Sequence, residues 1–190
     1  PLRRQRQMCI RDRFTLVVGG AASGKSEYAE QLILRAGALP RYYVATMEPF
    51  GAEARARIAR HRVLRAQKRF ETIECPVGLS RVLLPARGAA LLECLSNLAA
   101  NELYSPAGAG GEQAALAAVV DGVESLRRQC EALVVVTGEV FSGGSAYAGD
   151  TGTYLRVLAA ANRALAARAD AVCEVACGLP RYYKGEGAAL

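Results

Sequence analysis

Residues 19–26 read Gly19-Gly20-Ala21-Ala22-Ser23-Gly24-Lys25-Ser26, a Gly-x-x-x-x-Gly-Lys-Ser spacing suited to holding a polyphosphate. The glycines let backbone N–H groups close around phosphate oxygens, and a helix N-terminus after them adds partial positive charge. Lys25 is placed to reach the β- and γ-phosphates, and the Ser26 hydroxyl to ligate Mg²⁺. All eight residues are therefore candidate nucleotide contacts, with Lys25 also a catalytic candidate and Ser26 a metal ligand.

Three further positions carry chemistry-bearing side chains. Glu93 follows the apolar run Ala89-Ala90-Leu91-Leu92. An acid there suits Mg²⁺, directly or through water, or the orientation of an acceptor hydroxyl. Its plainer role is that of an acid beside a helix N-terminus. His61 is the chain's one histidine and shares a helix face with Arg57 and Arg65 at i, i+4 spacing. Neighbouring guanidinium groups favour a neutral imidazole able to attack phosphorus. Taken alone, however, a histidine on an arginine-rich helix reads as a solvated surface residue. Glu74, at the end of Phe70–Glu74, is the weakest of the three.

The elements that must position these residues alternate. Phe14–Val18 is an apolar strand, followed by the glycine loop and a helix over Ser26–Arg35. Arg41–Thr46 is a second strand, residues 51–69 an arginine-dense helix and Phe70–Glu74 a third strand. A short helix is expected around Val77–Leu84, then a strand at Ala89–Leu92 and a helix at Leu95–Tyr104. Ser105–Gly111 is a flexible loop, and Glu112–Cys130 a long helix with apolar positions at Leu116, Val119, Val120, Val123 and Leu126. Ala132–Thr137 is a strand, Phe141–Gly152 a glycine-rich loop, Thr153–Arg168 a helix and Ala171–Ala176 the last strand. Apolar strands alternating with helices indicate an α/β fold, a mostly parallel sheet with helices on both faces. Ligands of such sheets bind at the carboxyl ends of the strands, where the glycine loop, Thr46 and Glu93 fall.

The first thirteen residues stand apart. Arg3–Asp12 back-translates to a transposon adapter used in sequencing libraries, so residues 1–13 read as an adapter-derived tail and 14–190 as a single domain. Five arginines and one aspartate of that tail supply four of the six net positive charges. The remaining body is only weakly basic, which removes the main support for a nucleic-acid partner. No apolar run is long enough to span a bilayer. The six cysteines form no Cys-x-x-Cys pair, and with a single histidine they make no familiar zinc set. Reduced thiols in a cytoplasmic protein are expected, without disulfides or a bound transition metal.

Several motifs follow one another in order: the phosphate loop, Tyr43-Val44-Ala45-Thr46, Arg57-Ile58-x-x-His61-Arg62-x-x-Arg65, Thr72-Ile73-Glu74, Leu91-Leu92-Glu93-Cys94 and Thr137-x-Glu139-Val140. Arg156, Asn162, Leu165 and Ala166 continue the series. From about Phe14 to Lys184 the chain resembles the bifunctional adenosylcobinamide kinase / adenosylcobinamide-phosphate guanylyltransferase family of cobalamin biosynthesis. The resemblance implies a RecA-like phosphate-loop NTPase fold and two activities. One phosphorylates the aminopropanol hydroxyl of adenosylcobinamide, a corrinoid, with ATP or GTP. The other transfers GMP from GTP to that phosphate through a phosphoramidate on a histidine, matched here by His61. It also implies nucleotide contacts at Ala45, Thr46, Arg62, Arg65, Glu74 and Glu93, Mg²⁺ as cofactor, and a homotrimer.

Gly138, Ala66 and Ala159 depart from the family's pattern, which puts corrinoid preference rather than the phosphate loop in question. Two other readings stay open from sequence: a single-step phosphate-loop kinase of a small molecule, and a nucleotide-binding module without turnover.

Overall fold

The computed structural model describes residues 13–48, 68–141 and 149–185. Seven strands form one sheet: β1 Arg13–Gly19, β2 Arg41–Ala45, β3 Phe70–Glu74, β4 Gly88–Glu93, β5 Cys130–Gly138, β6 Ala171–Ala176 and β7 Leu179–Lys184. Their order is β3-β2-β4-β5-β1-β6-β7. Every pairing is parallel except that of β6 with β7. The helices are α1 Lys25–Ala36, α2 Leu95–Tyr104, α3 Glu112–Gln129 and α4 Gly149–Arg168.

The sheet is buried on both faces, which is why its central strands are continuous apolar runs rather than alternating ones. On one face, Tyr28, Ala29 and Ile33 of α1 pack on Val17, Tyr43, Leu91, Val134 and Cys173. On the other, Leu95 and Leu98 of α2, Val119, Val123 and Leu126 of α3, and Val157, Leu158 and Leu165 of α4 cover Phe14, Leu16, Leu92, Leu133 and Val135. The mostly parallel α/β architecture with helices on both faces is therefore the one the sequence indicates. β1, which leads into the glycine loop, and β4, which ends in Glu93, are separated by β5 alone. Arg13, the last residue of the suspected tail, already pairs with Ala132, and backbone pairing asks little of residue type.

Three local expectations are corrected. Val77–Leu84 is not a helix but a single 3-10 turn at Leu79–Arg81. Tertiary partners take the backbone groups that a helix would need: Glu102 Oε1 accepts from Gly78 N at 2.6 Å, Gln129 Oε1 from Leu84 N at 2.9 Å, and Val82 O accepts from Gln129 Nε2 at 3.0 Å. The last helix starts at Gly149, four residues before Thr153. The sheet does not end at Ala176: β7 returns antiparallel through Cys177-Gly178, both at positive φ (52° and 78°), the backbone twist of a tight hairpin. Of the arginine-dense stretch expected as a helix at 51–69, residues 51–67 lie outside the described residues. Lys68 and Arg69 form a turn into β3.

Candidate active site

The phosphate loop joins the central strand β1 to α1 at the carboxyl edge of the sheet. Gly19 has no room for a side chain: a Cβ there would lie 2.5 Å from Ser23 Oγ and 2.8 Å from the Val175 carbonyl oxygen. Gly24 caps α1 in the left-handed region, φ 86°, and its Cβ would meet Gly178 Cα at 3.0 Å. The loop is held from both sides. Glu139 N donates to Gly19 O at 2.9 Å, and Gly178 N to Ser23 O at 2.8 Å. Thus β5 and the β6–β7 hairpin brace a turn whose own hydrogen bond, Ser23 N to Gly20 O, is a long 3.3 Å.

Lys25 Nζ folds back over the loop and donates to Gly20 O at 2.9 Å. The Ser23 hydroxyl is buried with no hydrogen-bond partner. A buried, unpaired hydroxyl is costly in a protein interior, and a phosphate oxygen is a partner of the right kind. No side chain caps the first turn of α1, so its N–H groups stay directed into the loop.

Glu93 ends β4 and faces the first turn of α1. Its Oε1 accepts a hydrogen bond from the Ser26 hydroxyl and its Oε2 one from the Tyr43 hydroxyl. A hydroxyl and a carboxylate are the hard oxygen donors that Mg²⁺ prefers. No cluster of three or more His, Cys, Asp or Glu side chains exists among the described residues.

Thr46 is fully buried, and its hydroxyl is taken up by the Cys94 backbone, donating to Cys94 O and accepting from Cys94 N, both at 2.8 Å. Thr46 N donates to Glu93 O at 3.0 Å. Its side chain thus fixes the Glu93–Cys94 segment on which the carboxylate sits. Ala45 lies in register with both Glu93 and Glu74. The two carboxylates therefore leave the same face of the sheet about 10 Å apart, two strand spacings. Glu74 is exposed at the end of β3. Burial pushes the Cys94 thiol above its usual range, so it remains a neutral neighbour of Glu93. The structure thus gathers Gly19 to Ser26, Ala45, Thr46 and Glu93 at one edge. His61, Arg62 and Arg65 lie outside the described residues.

Asn101 and Tyr43 are the residues that sequence reasoning missed. Asn101 Nδ2 donates to Thr46 O at 2.8 Å and to Pro76 O at 3.0 Å, tying the ends of β2 and β3 to α2. The polar pair Asn101-Glu102, one turn past Ser96-Asn97 on a helix whose other positions are apolar or aromatic, was the available signal. Glu102 is buried and accepts from Gly78 N and, at 2.9 Å, from Ala109 N. Nothing in the local pattern around Tyr43 marks its hydroxyl as the partner of Glu93.

The chain is similar to known proteins over most of its length. The sequence profile described as cobinamide kinase / cobinamide phosphate guanyltransferase matches residues 15–182. The bifunctional adenosylcobalamin biosynthesis protein CobP of Pseudomonas aeruginosa is 31% identical over 176 residues, 90% of this chain and 97% of that protein. The bifunctional adenosylcobalamin biosynthesis protein CobU of Salmonella typhimurium is 32% identical over 177 residues, 86% of this chain and 96% of that protein. Among solved structures, the RadB recombinase superposes with a TM-score of 0.47 at 18% identity, covering 86% of this chain and 74% of that one.

Proposed function

The chain belongs to the cobinamide kinase / cobinamide phosphate guanyltransferase family, and we propose that it carries both activities joined in that name. It is a bifunctional transferase of cobalamin biosynthesis that phosphorylates adenosylcobinamide and then converts the phosphate to adenosylcobinamide-GDP. The observation that supports this best is the contact of Ser26 with Glu93 across the phosphate loop.

In the kinase step the acceptor's hydroxyl oxygen attacks the γ-phosphorus of ATP or GTP and releases its proton to solvent; the bond from the γ-phosphorus to the bridging oxygen breaks, and the nucleoside diphosphate leaves with that oxygen. The loop N–H groups and Ser23 hold the phosphates, and Lys25 swings from Gly20 O to the transferred phosphoryl group, offsetting its charge. Ser26 and Glu93 would hold Mg²⁺, which when bound neutralises phosphate charge. Tyr43 and Thr46 keep the Glu93 carboxylate in place for that role. In the second step the neutral His61 imidazole attacks the α-phosphorus of GTP. A P–N bond forms, the bond to the β-phosphate oxygen breaks and pyrophosphate leaves. A phosphate oxygen of adenosylcobinamide phosphate then attacks the phosphoramidate, giving adenosylcobinamide-GDP and free His61. Arg62 and Arg65 bind the triphosphate beside His61, with Ala45 and Glu74 at the nucleotide's edge. A cytoplasmic homotrimer is part of the same proposal and rests on family resemblance. No helix among the described residues is long and apolar enough to cross a membrane.

Intact-protein mass spectrometry after incubation with GTP and Mg²⁺ tests the reading. A guanylyl-sized increment on the unaltered chain, absent from His61→Ala, is expected. No increment on either would leave a single-step kinase as the better account.

A further inference from the structure

The carboxyl edge of the sheet carries a second recess that the nucleotide chemistry does not use. It lies between α2 and α4, has a volume of about 260 Å³, and is lined by Ala100, Tyr104, Asp150, Thr151 and Tyr154. The Tyr104 hydroxyl donates to Asp150 O, which pins the ring across the helix pair. Tyr104 nevertheless remains 48% exposed, a large apolar surface to leave in water.

This recess is wired to the phosphate site. Tyr154 lies close to the side chain of Ser96, in the first turn of α2 just past Glu93-Cys94. Ser96 Oγ accepts from Gly138 N at 2.8 Å, and the next residue, Glu139, donates to Gly19 O of the loop. Val140 and Phe141, 39% and 37% exposed, continue the apolar surface along the same edge, with Val140 beside Ser96 and Gly138. One strip therefore runs from the phosphate loop over Ser96 to the two tyrosines.

We propose that this recess seats the corrin macrocycle of the acceptor, with its aminopropanol arm passing over Ser96 toward Glu93 and the phosphate loop. The proposal rests on the bifunctional reading above. The argument is one of reach and chemistry. The ring is joined to its reacting hydroxyl by an arm, so its seat must lie on the carboxyl edge but displaced from the phosphates. α2 leads away from Glu93 at about 1.5 Å per residue, which puts Ala100 and Tyr104 about one arm's length along. The macrocycle has an apolar body and a rim of carboxamides. Tyrosine rings and Ala100 suit the first, and the Asp150 carboxylate and Thr151 hydroxyl suit the second. Gly138 lies under this path: a Cβ there would sit 2.9 Å from Ser96 Oγ and displace it.

Kinase assays that vary adenosylcobinamide at saturating GTP, and then GTP at saturating adenosylcobinamide, separate the two sites. Tyr104→Ala, which opens the recess, and Thr151→Trp, which fills it, should each raise the KM for adenosylcobinamide about tenfold. The KM for GTP and the GTP-dependent mass increment should not change. An adenosylcobinamide KM within about twofold of the unaltered chain's in both variants overturns the proposal. So does a fall in sedimentation mass with unchanged KM, which would mean that a second copy of the chain covers the recess. Failure of the unaltered chain to phosphorylate adenosylcobinamide would instead overturn the functional reading, and the seat with it.

Discussion

The Ser26 hydroxyl, on the first turn of α1, donates to Glu93 Oε1 at the end of β4, 67 residues away in the chain. The two meet because β5 is the only strand between β4 and β1, so the carboxyl end of β4 comes level with the loop after β1. This pair separates the function of the site from its architecture. Glu93→Gln keeps a side chain of the same shape but removes the charge. Its kinase kcat should fall about 100-fold and its half-saturating Mg²⁺ concentration should rise. A Mg²⁺ titration of initial rate with an unchanged midpoint would remove Glu93 from the metal site.

The two glycines that open the loop should differ sharply. Gly19→Ala forces a methyl against the Val175 carbonyl, whereas a Cβ at Gly20 meets nothing within 4 Å. Urea denaturation should show Gly19→Ala destabilised by about 1–3 kcal/mol, with nucleotide binding lost. Gly20→Ala should stay within about 0.5 kcal/mol of the unaltered chain. Equal midpoints for the two would contradict the braced loop.

Asn101 acts at a distance from any substrate, through Thr46 and Pro76. Asn101→Ala leaves two backbone carbonyls short of a donor and should cost about 1–3 kcal/mol. Asn101→Asp should cost more, because at neutral pH it sets a carboxylate against two carbonyl oxygens. If Asn101→Asp proved the milder change by thermal melting, the amide would not be the donor described.

Alkaline pH should unfold the protein through its buried thiols. Burial pushes Cys130 up to about 12 and Cys173 up to about 11 from the usual 9.0. A thiol whose folded pKa is raised gives its full stability below pH 9. That stability is lost as pH rises toward the folded value, because the unfolded chain releases the proton first. Between pH 9 and 11 each thiol should contribute a falling slope of up to about 1.4 kcal/mol per pH unit. Cys130→Ala should flatten that slope, and an unchanged slope in chemical denaturation across this range would count against the assignment. Under native conditions near pH 8, alkylation should reach the exposed Cys177 before the buried Cys75, Cys130 or Cys173, as read by peptide mass mapping.

Much of the site is local in sequence, and that part was legible. Gly19 to Ser26 with the apolar strand before it and the helix after it is contiguous, and its backbone demands select glycine and lysine types directly. Glu93 was legible as a candidate because it is the acid that ends a fully apolar strand. β7 was not. Leu179–Lys184 is a largely exposed edge strand with a proline, and only Pro180 and Tyr182 are half-buried, too few positions to mark a period in the sequence. The 3-10 turn at Leu79–Arg81 was hidden for a different reason: Glu102 and Gln129, more than twenty residues downstream, compete for its backbone.

The chain by itself determined the alternation of strands and helices, the glycine loop and the acid at the end of its apolar strand, because hydrophobic period and turn chemistry act over short stretches. The order of the strands, and with it the meeting of Ser26, Tyr43 and Glu93, was decided only in the tertiary structure. So was the bracing of the loop by Glu139 and Gly178. These depend on which strands lie side by side, a choice made by burying two apolar faces at once, and no local pattern encodes it.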